Sequence, residues 1–106
     1  MSMDAYATDD DGYLCNLQDW SPAIADAMAA DDNLTLTEAH WEVIYFLRDY
    51  FNEYQIAPAM RTLTRKIGDA LGREKANSRY LYSLFPYGPS KQASRYAGLP
   101  KPTRCL

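Results

Sequence analysis

EAHWEVIYFLRDYFNEY, residues 38 to 54, is the stretch whose reading decides the fold. Trp41, Ile44, Leu47, Phe51 and Tyr54 recur at three- and four-residue steps, the period of one face of an α-helix. Val43, Phe46 and Tyr50 widen that stripe, while Glu42, Asp49, Asn52 and Glu53 mark the wet side. A stripe this broad predicts a central helix, packed by neighbours on more than one side. Thr37 stands at the capping position, and His40 in the first turn reads as a capping or packing residue rather than a general base.

Shorter helices are expected around it. Ser21-Pro22 places a capping hydroxyl before a proline whose missing amide does no harm, predicting a helix over residues 23–30. Pro58 starts the next, with Met60, Leu63, Ile67 and Ala70 or Leu71 inward, and Gly72 stops it. Asn77 caps a short helix carrying Tyr80, Leu81, Leu84 and Phe85, and Gly88-Pro89 opens a last one over residues 90–97. The opening AYATDDDGYLCN, residues 5–16, reads as two strand-like pieces around an acidic turn, with Gly12 supplying a positive φ. Cys15 at its end reads as a small buried hydrophobe. The fold class expected is mainly α: a small orthogonal helical bundle with a helix-turn-helix-like pair, a short N-terminal β-hairpin and a flexible C-terminal arm. Residues 1–98 form the domain in this reading, and residues 99–106 the arm.

A chain of 106 residues, 47% of them apolar, suits one domain with a modest core. Its two cysteines make no disulfide framework and carry no metal-ligand spacing, and a zinc site with one histidine would need several carboxylates. No apolar run approaches membrane-spanning length, the first residues lack the pattern of a signal peptide, and a working free thiol suits the reducing cytoplasm. The net charge of −3 hides a division: residues 1–47 hold ten acidic side chains and no Lys or Arg, whereas residues 48–106 hold all eleven basic ones. After Glu74 come only cations, among them Arg79, Lys91, Arg95, Lys101 and Arg104. That asymmetry fits a basic face for an acidic partner or nucleic acid, and equally fits internal neutralisation.

The run GLPKPTRCL, residues 98–106, puts a thiol one residue from the end of the sequence. Pro100 and Pro102 bias it toward extended geometry, so Cys105 can reach about 25 Å from Gly98 at roughly 3.3–3.6 Å per residue. Lys101 and Arg104 favour the thiolate, and the carboxylate of Leu106 opposes them. Such a thiol gains its reactivity inside a partner's pocket. Cys15 is expected against the helices, outside bridging distance of Cys105. A competing reading comes from residues 59–71 and 77–85, which have the outline of a helix-turn-helix with Asn77, Ser78, Arg79 and Tyr82 exposed toward DNA. Its second helix is short and tyrosine-rich, and the acidic total charge does not favour phosphate.

HWEVIYFLRDYF (residues 40–51), NSRYLYSLFP (77–86), GPSKQAS (88–94) and GLPKPTRCL together resemble the TusE/DsrC family of sulfur-relay proteins. The resemblance implies a helical fold with a helix-turn-helix-like pair and a mobile C-terminal arm. It also implies that Cys105 carries sulfur as a transient persulfide, with no other cofactor and no metal. Family members of the DsrC type have a second arm cysteine eleven positions earlier, where this chain has Ser94. A single arm cysteine is similar to the TusE branch. The implied partners are a TusBCD-like sulfur donor and an MnmA-like tRNA thiolase that makes wobble 2-thiouridine, with tRNA contacted only through that enzyme. A cytoplasmic monomeric sulfurtransferase without membrane contact is the expectation, with Lys91, Arg95, Arg79, Lys101 and Arg104 on arm and docking surface. The alternative is a DsrC-like regulatory or DNA-binding protein.

Overall fold

The computed structural model describes residues 6–102. Five α-helices make up the domain: α1 (Pro22–Asp31), α2 (Glu38–Tyr54), α3 (Met60–Leu71), α4 (Ser78–Leu84) and α5 (Pro89–Tyr96). Single 3-10 turns, Leu17–Asp19 and Arg73–Lys75, precede α1 and α4. The short α5 is the hub, packing against α1, α2, α3 and α4. Its Ala93 and Tyr96 are wholly buried beside Val43, Ile44 and Leu47 of α2, Leu63 and Ile67 of α3, and Leu81 and Phe85 at α4.

The caps explain where helices begin and end. Thr37 and His40 form a capping box: the Thr37 amide donates to His40 Nδ1 at 3.0 Å, and the opposite His40 nitrogen meets the Leu84 carbonyl at 2.8 Å. His40 is thus a buried packing residue that joins α2 to α4. Asn77 accepts from the Tyr80 amide and donates to the Glu74 carbonyl, so its side chain is occupied in starting α4. Gly68 lets α3 lie against the following turn, because a Cβ there would sit 2.4 Å from that of Ala76. Ser21, by contrast, makes no side-chain cap bond, and α1 starts directly at Pro22.

Four expectations need correction. The N-terminal hairpin reduces to one antiparallel bridge, Thr8 with Leu14, and no strand forms among the described residues. Consecutive Tyr13 and Leu14 are both buried, which breaks the in–out alternation of a strand, and the Asp9 carboxylate takes the amides of Asp11 and Tyr13. Cys15 is exposed rather than a buried hydrophobe, since Tyr13 and Leu14 occupy the inward positions just before it. Tyr54, assigned to the core stripe of α2, is 48% exposed: it is the last residue of the helix, and Lys66 of α3 lies over its ring without covering it. Leu99, placed in the arm by the sequence, is a core residue at 2% exposure.

Candidate functional site

The segment leading to Cys105 leaves the domain through a clamp built from α1's approach, α2 and α5. Trp20 Nε1–H donates to the Tyr96 carbonyl at 2.7 Å, and Arg48 Nη1 donates to the Ala97 carbonyl at 2.6 Å. The Arg48 guanidinium also lies 3.9 Å over the Trp20 ring, and burial pulls its pKa down. These bonds satisfy carbonyls at the end of α5, which a helix cannot satisfy internally. Gly98 follows with φ +74, and a Cβ there would meet Trp20 at 2.5 Å, so only glycine lets the chain turn under the indole. The turn returns the Leu99 amide to the Ser94 carbonyl at 3.0 Å. The exit of the C-terminal segment is fixed by packing.

Lys101 then reaches the N-terminal loop, with Nζ 2.8 Å from Asp11 Oδ2. The hydrogen bond and charge of Lys101 hold the Asp11 carboxyl below its usual range, and Asp11 raises Lys101 in return. Beside this pair lies a cavity of about 220 Å³ between Tyr13, Tyr87, Lys91, Arg95 and Lys101. Lys91 is exposed there. Arg95 is not a free cation: Nη2 lies 2.5 Å from Asp32 Oδ2, with both side chains about four-fifths covered. The same Asp32 oxygen accepts from the Tyr96 hydroxyl, whose oxygen accepts from Gln92 Nε2 at 2.7 Å. Burial, then the bond to Asp32, push the Tyr96 hydroxyl pKa well up.

The structure therefore brings Lys91, Arg95 and Lys101 together around the exit of the segment. Arg79 lies apart on α4, exposed, in a separate shallow surface with Asn77 and Ser78. Cys105 and Arg104 lie outside the described residues. The sequence did not single out Trp20 and Arg48; the one Lys or Arg side chain of α2, next to Leu47 of the apolar stripe, was the available signal. Ser94 is wholly buried, and its Oγ has no hydrogen-bond partner. No cluster of three or more metal-binding side chains occurs among the described residues. No helix there is long and apolar enough to cross a membrane.

The family model described as "DsrC like protein" matches residues 1–106. The chain belongs to the DsrC-like family. It is 53% identical over 100 residues to the sulfurtransferase TusE of Sodalis glossinidius, covering 94% of this chain and 93% of the relative. Identity to the TusE homolog of Haemophilus influenzae is 54% over 99 residues, covering 93% and 91%. Such relatives put this DsrC-family chain with the sulfurtransferases. Among solved structures, the DsrC of Allochromatium vinosum superposes with a TM-score of 0.88 at 65% identity, covering 95% of this chain and 90% of that one.

Proposed function

We propose that this DsrC-family protein is a single-thiol sulfur carrier. Cys105 thiolate attacks the outer sulfur of a donor cysteine persulfide. The donor sulfur–sulfur bond breaks, the donor leaves as its thiolate, and a persulfide forms on Cys105. The donor is a TusBCD-like complex. The acceptor is an MnmA-like enzyme that takes the outer sulfur for wobble 2-thiouridine, and tRNA is met only through it. Lys91 and Lys101 beside the exit, with Arg104, form the basic docking surface, Arg79 on α4 offers a separate exposed cation, and Arg95 holds the exit surface in place through Asp32. The domain is the platform and the residues beyond Leu99 are the arm.

The observation that carries this reading is Ser94. A hydroxyl occupies the position where a second arm cysteine would stand, so a persulfide on Cys105 has no thiol on the same arm to displace it. Identity near one half to relatives named TusE supports the same branch. The 65% identity to the A. vinosum DsrC favours a second reading, a DsrC-like regulatory role, which the missing thiol argues against.

The test is intact-mass measurement after incubation with a protein persulfide donor. Wild type and Cys15→Ser gain the mass of one sulfur, and Cys105→Ser gains none. Acceptance that depends on Cys15 overturns the assignment of the two thiols, and a chain that stays unmodified yet binds a DNA duplex at physiological salt overturns the relay.

A further inference from the structure

Between α2 and α3 runs a groove of about 320 Å³ that shares no residue with the surface around Lys101. Its floor is an aromatic ladder, Phe46, Tyr50 and Tyr54, spaced one helical turn apart. Ring centroids are 6.1 Å apart for the first pair and 4.6 Å for the second. Its rim carries three carboxylates, Asp49, Glu53 and Asp69, all exposed and none in an ion pair among the described residues. One cation reaches in: Lys66 Nζ lies 5.9 Å from the Tyr54 ring centre.

We infer that this groove is a docking socket for an arginine side chain presented by a partner protein. The ring faces carry negative quadrupole charge, the rim carries three unpaired negative groups, and the single lysine leaves the lining net negative. Guanidinium fits better than ammonium. It is planar, stacks flat on a tyrosine face, and meets a carboxylate with two parallel donors. Lys66 already shows that a cation can lie over Tyr54, and an incoming arginine must displace it. The socket thus gives the protein a second surface, opposite in charge to the one beside the exit of its C-terminal segment. A carrier that meets two proteins in turn can hold one on each. That last use rests on the carrier reading, whereas the socket itself does not.

The test uses the full chain, labelled with nitrogen-15, titrated with a blocked tri-arginine peptide. Amide shifts saturate and concentrate at residues 46–54 and 66–70. Tri-lysine binds more weakly. Tyr54→Ala lowers the affinity for tri-arginine about threefold or more, the size expected for one exposed cation–π contact. Lys66→Ala raises it by a similar factor, because the internal competitor is gone. A purely structural Lys66 would not give that opposite sign. Shifts as large at the acidic loop of residues 9–11 overturn the proposal, as does unchanged affinity in Lys66→Ala. If raising the concentration of peptide-free protein moves the same amides and produces dimers by sedimentation, the occupant is a second copy and the inference fails. Sulfur acceptance by Cys105 is read separately by intact mass, so loss of either result leaves the other standing.

Discussion

Lys101 Nζ lies 2.8 Å from Asp11 Oδ2, so the segment that leads to the thiol is held to the N-terminal loop as it leaves the domain. Both side chains are more than half exposed, at 59% and 57%, which makes this a local tether and not a source of global stability. Asp11 is held below the usual carboxylate range. The contact is therefore complete above that range and is lost as pH falls through the lowered value. Asp11→Ala is expected to speed hydrogen exchange at the Lys101 amide at neutral pH and leave the unfolding midpoint unchanged. Added salt should shrink the difference, and at acid pH the two proteins should converge. Equal exchange at neutral pH would mean the pair does not restrain the segment.

The basic residues separate into two classes that charge reversal distinguishes. Lys91→Glu and Arg79→Glu alter exposed cations, and are expected to weaken binding to the sulfur donor or acceptor in a salt-sensitive way with folding intact. Arg95→Glu places two carboxylates together where an ion pair was mostly covered, and should cost roughly 2–3 kcal/mol of stability. Denaturant unfolding beside affinity measured at two salt concentrations separates the cases. Binding unmoved by Lys91→Glu and Arg79→Glu would leave the uneven charge distribution as internal compensation alone.

Tyr96 provides an alkaline limit. Its hydroxyl is neutral in the fold, buried, and donates to Asp32, so its pKa is raised above that of an unfolded tyrosine. A raised pKa contributes stability that is complete below the ordinary tyrosine value of about 10 and is lost as pH rises beyond it. Wild type should lose denaturant resistance above pH about 10. Tyr96→Phe should start roughly 1–2 kcal/mol less stable, with Gln92 and Asp32 each short of a partner, and then fall less steeply. Tyr13, whose pKa burial also raises, accounts for the slope that remains. Parallel curves for the two proteins would show that Tyr96 ionises freely.

Much of the helical frame was readable because its signals are local. The α2 stripe, the Thr37 and Asn77 caps and the stops at Gly72 and Gly98 each lie within one helical turn of what they control. What could not be read depends on contacts distant in sequence. Nothing near Trp20 announces a bond to Tyr96, 76 residues away, and nothing near Arg95 announces Asp32, 63 away. Arg95 therefore read as a docking cation, and its ion pair with Asp32 was not foreseen. The prominence of the eight-residue α5 was hidden for the same reason: its hydrophobic content is small, and its position among four helices is set by the others. Cys15 was misplaced because residue type alone reads cysteine as a small buried hydrophobe, whereas Tyr13 and Leu14 just before it take the inward positions.

Ser94 joins the fold to the chemistry, and one substitution tests both. Its hydroxyl is wholly buried with no hydrogen-bond partner, a state that costs roughly 1–3 kcal/mol against a satisfied or apolar side chain. A thiol is content in such a place, since cysteine behaves there as a small hydrophobe. Ser94→Ala is expected to be about 1 kcal/mol more stable than wild type, and Ser94→Cys at least as stable as wild type. Lower stability in both would mean the hydroxyl is satisfied in solution. The thiol of Ser94→Cys should resist alkylation in the folded protein, while the exposed Cys15 reacts quickly. On local opening at the end of α5 it should nevertheless trap Cys105, because a tethered persulfide is present at far higher effective concentration than a dilute alkylating reagent. The Leu99 amide is bonded to the Ser94 carbonyl, so the chain already turns back on this position, and the six residues from Leu99 to Cys105 reach about 20 Å. A thiol here would attack the inner sulfur of a Cys105 persulfide, form a disulfide and release hydrosulfide, draining sulfur from the relay. Non-reducing peptide mapping after loading should show that internal bridge in Ser94→Cys and no internal bridge in wild type. Asp11 ties Lys101 to the loop that carries Cys15, and Cys105 lies four residues, about 14 Å at full extension, beyond Lys101. A Cys15–Cys105 bridge as the main wild-type product would therefore overturn the single-thiol account, with Cys15 and not Ser94 as the position that decides whether the persulfide survives.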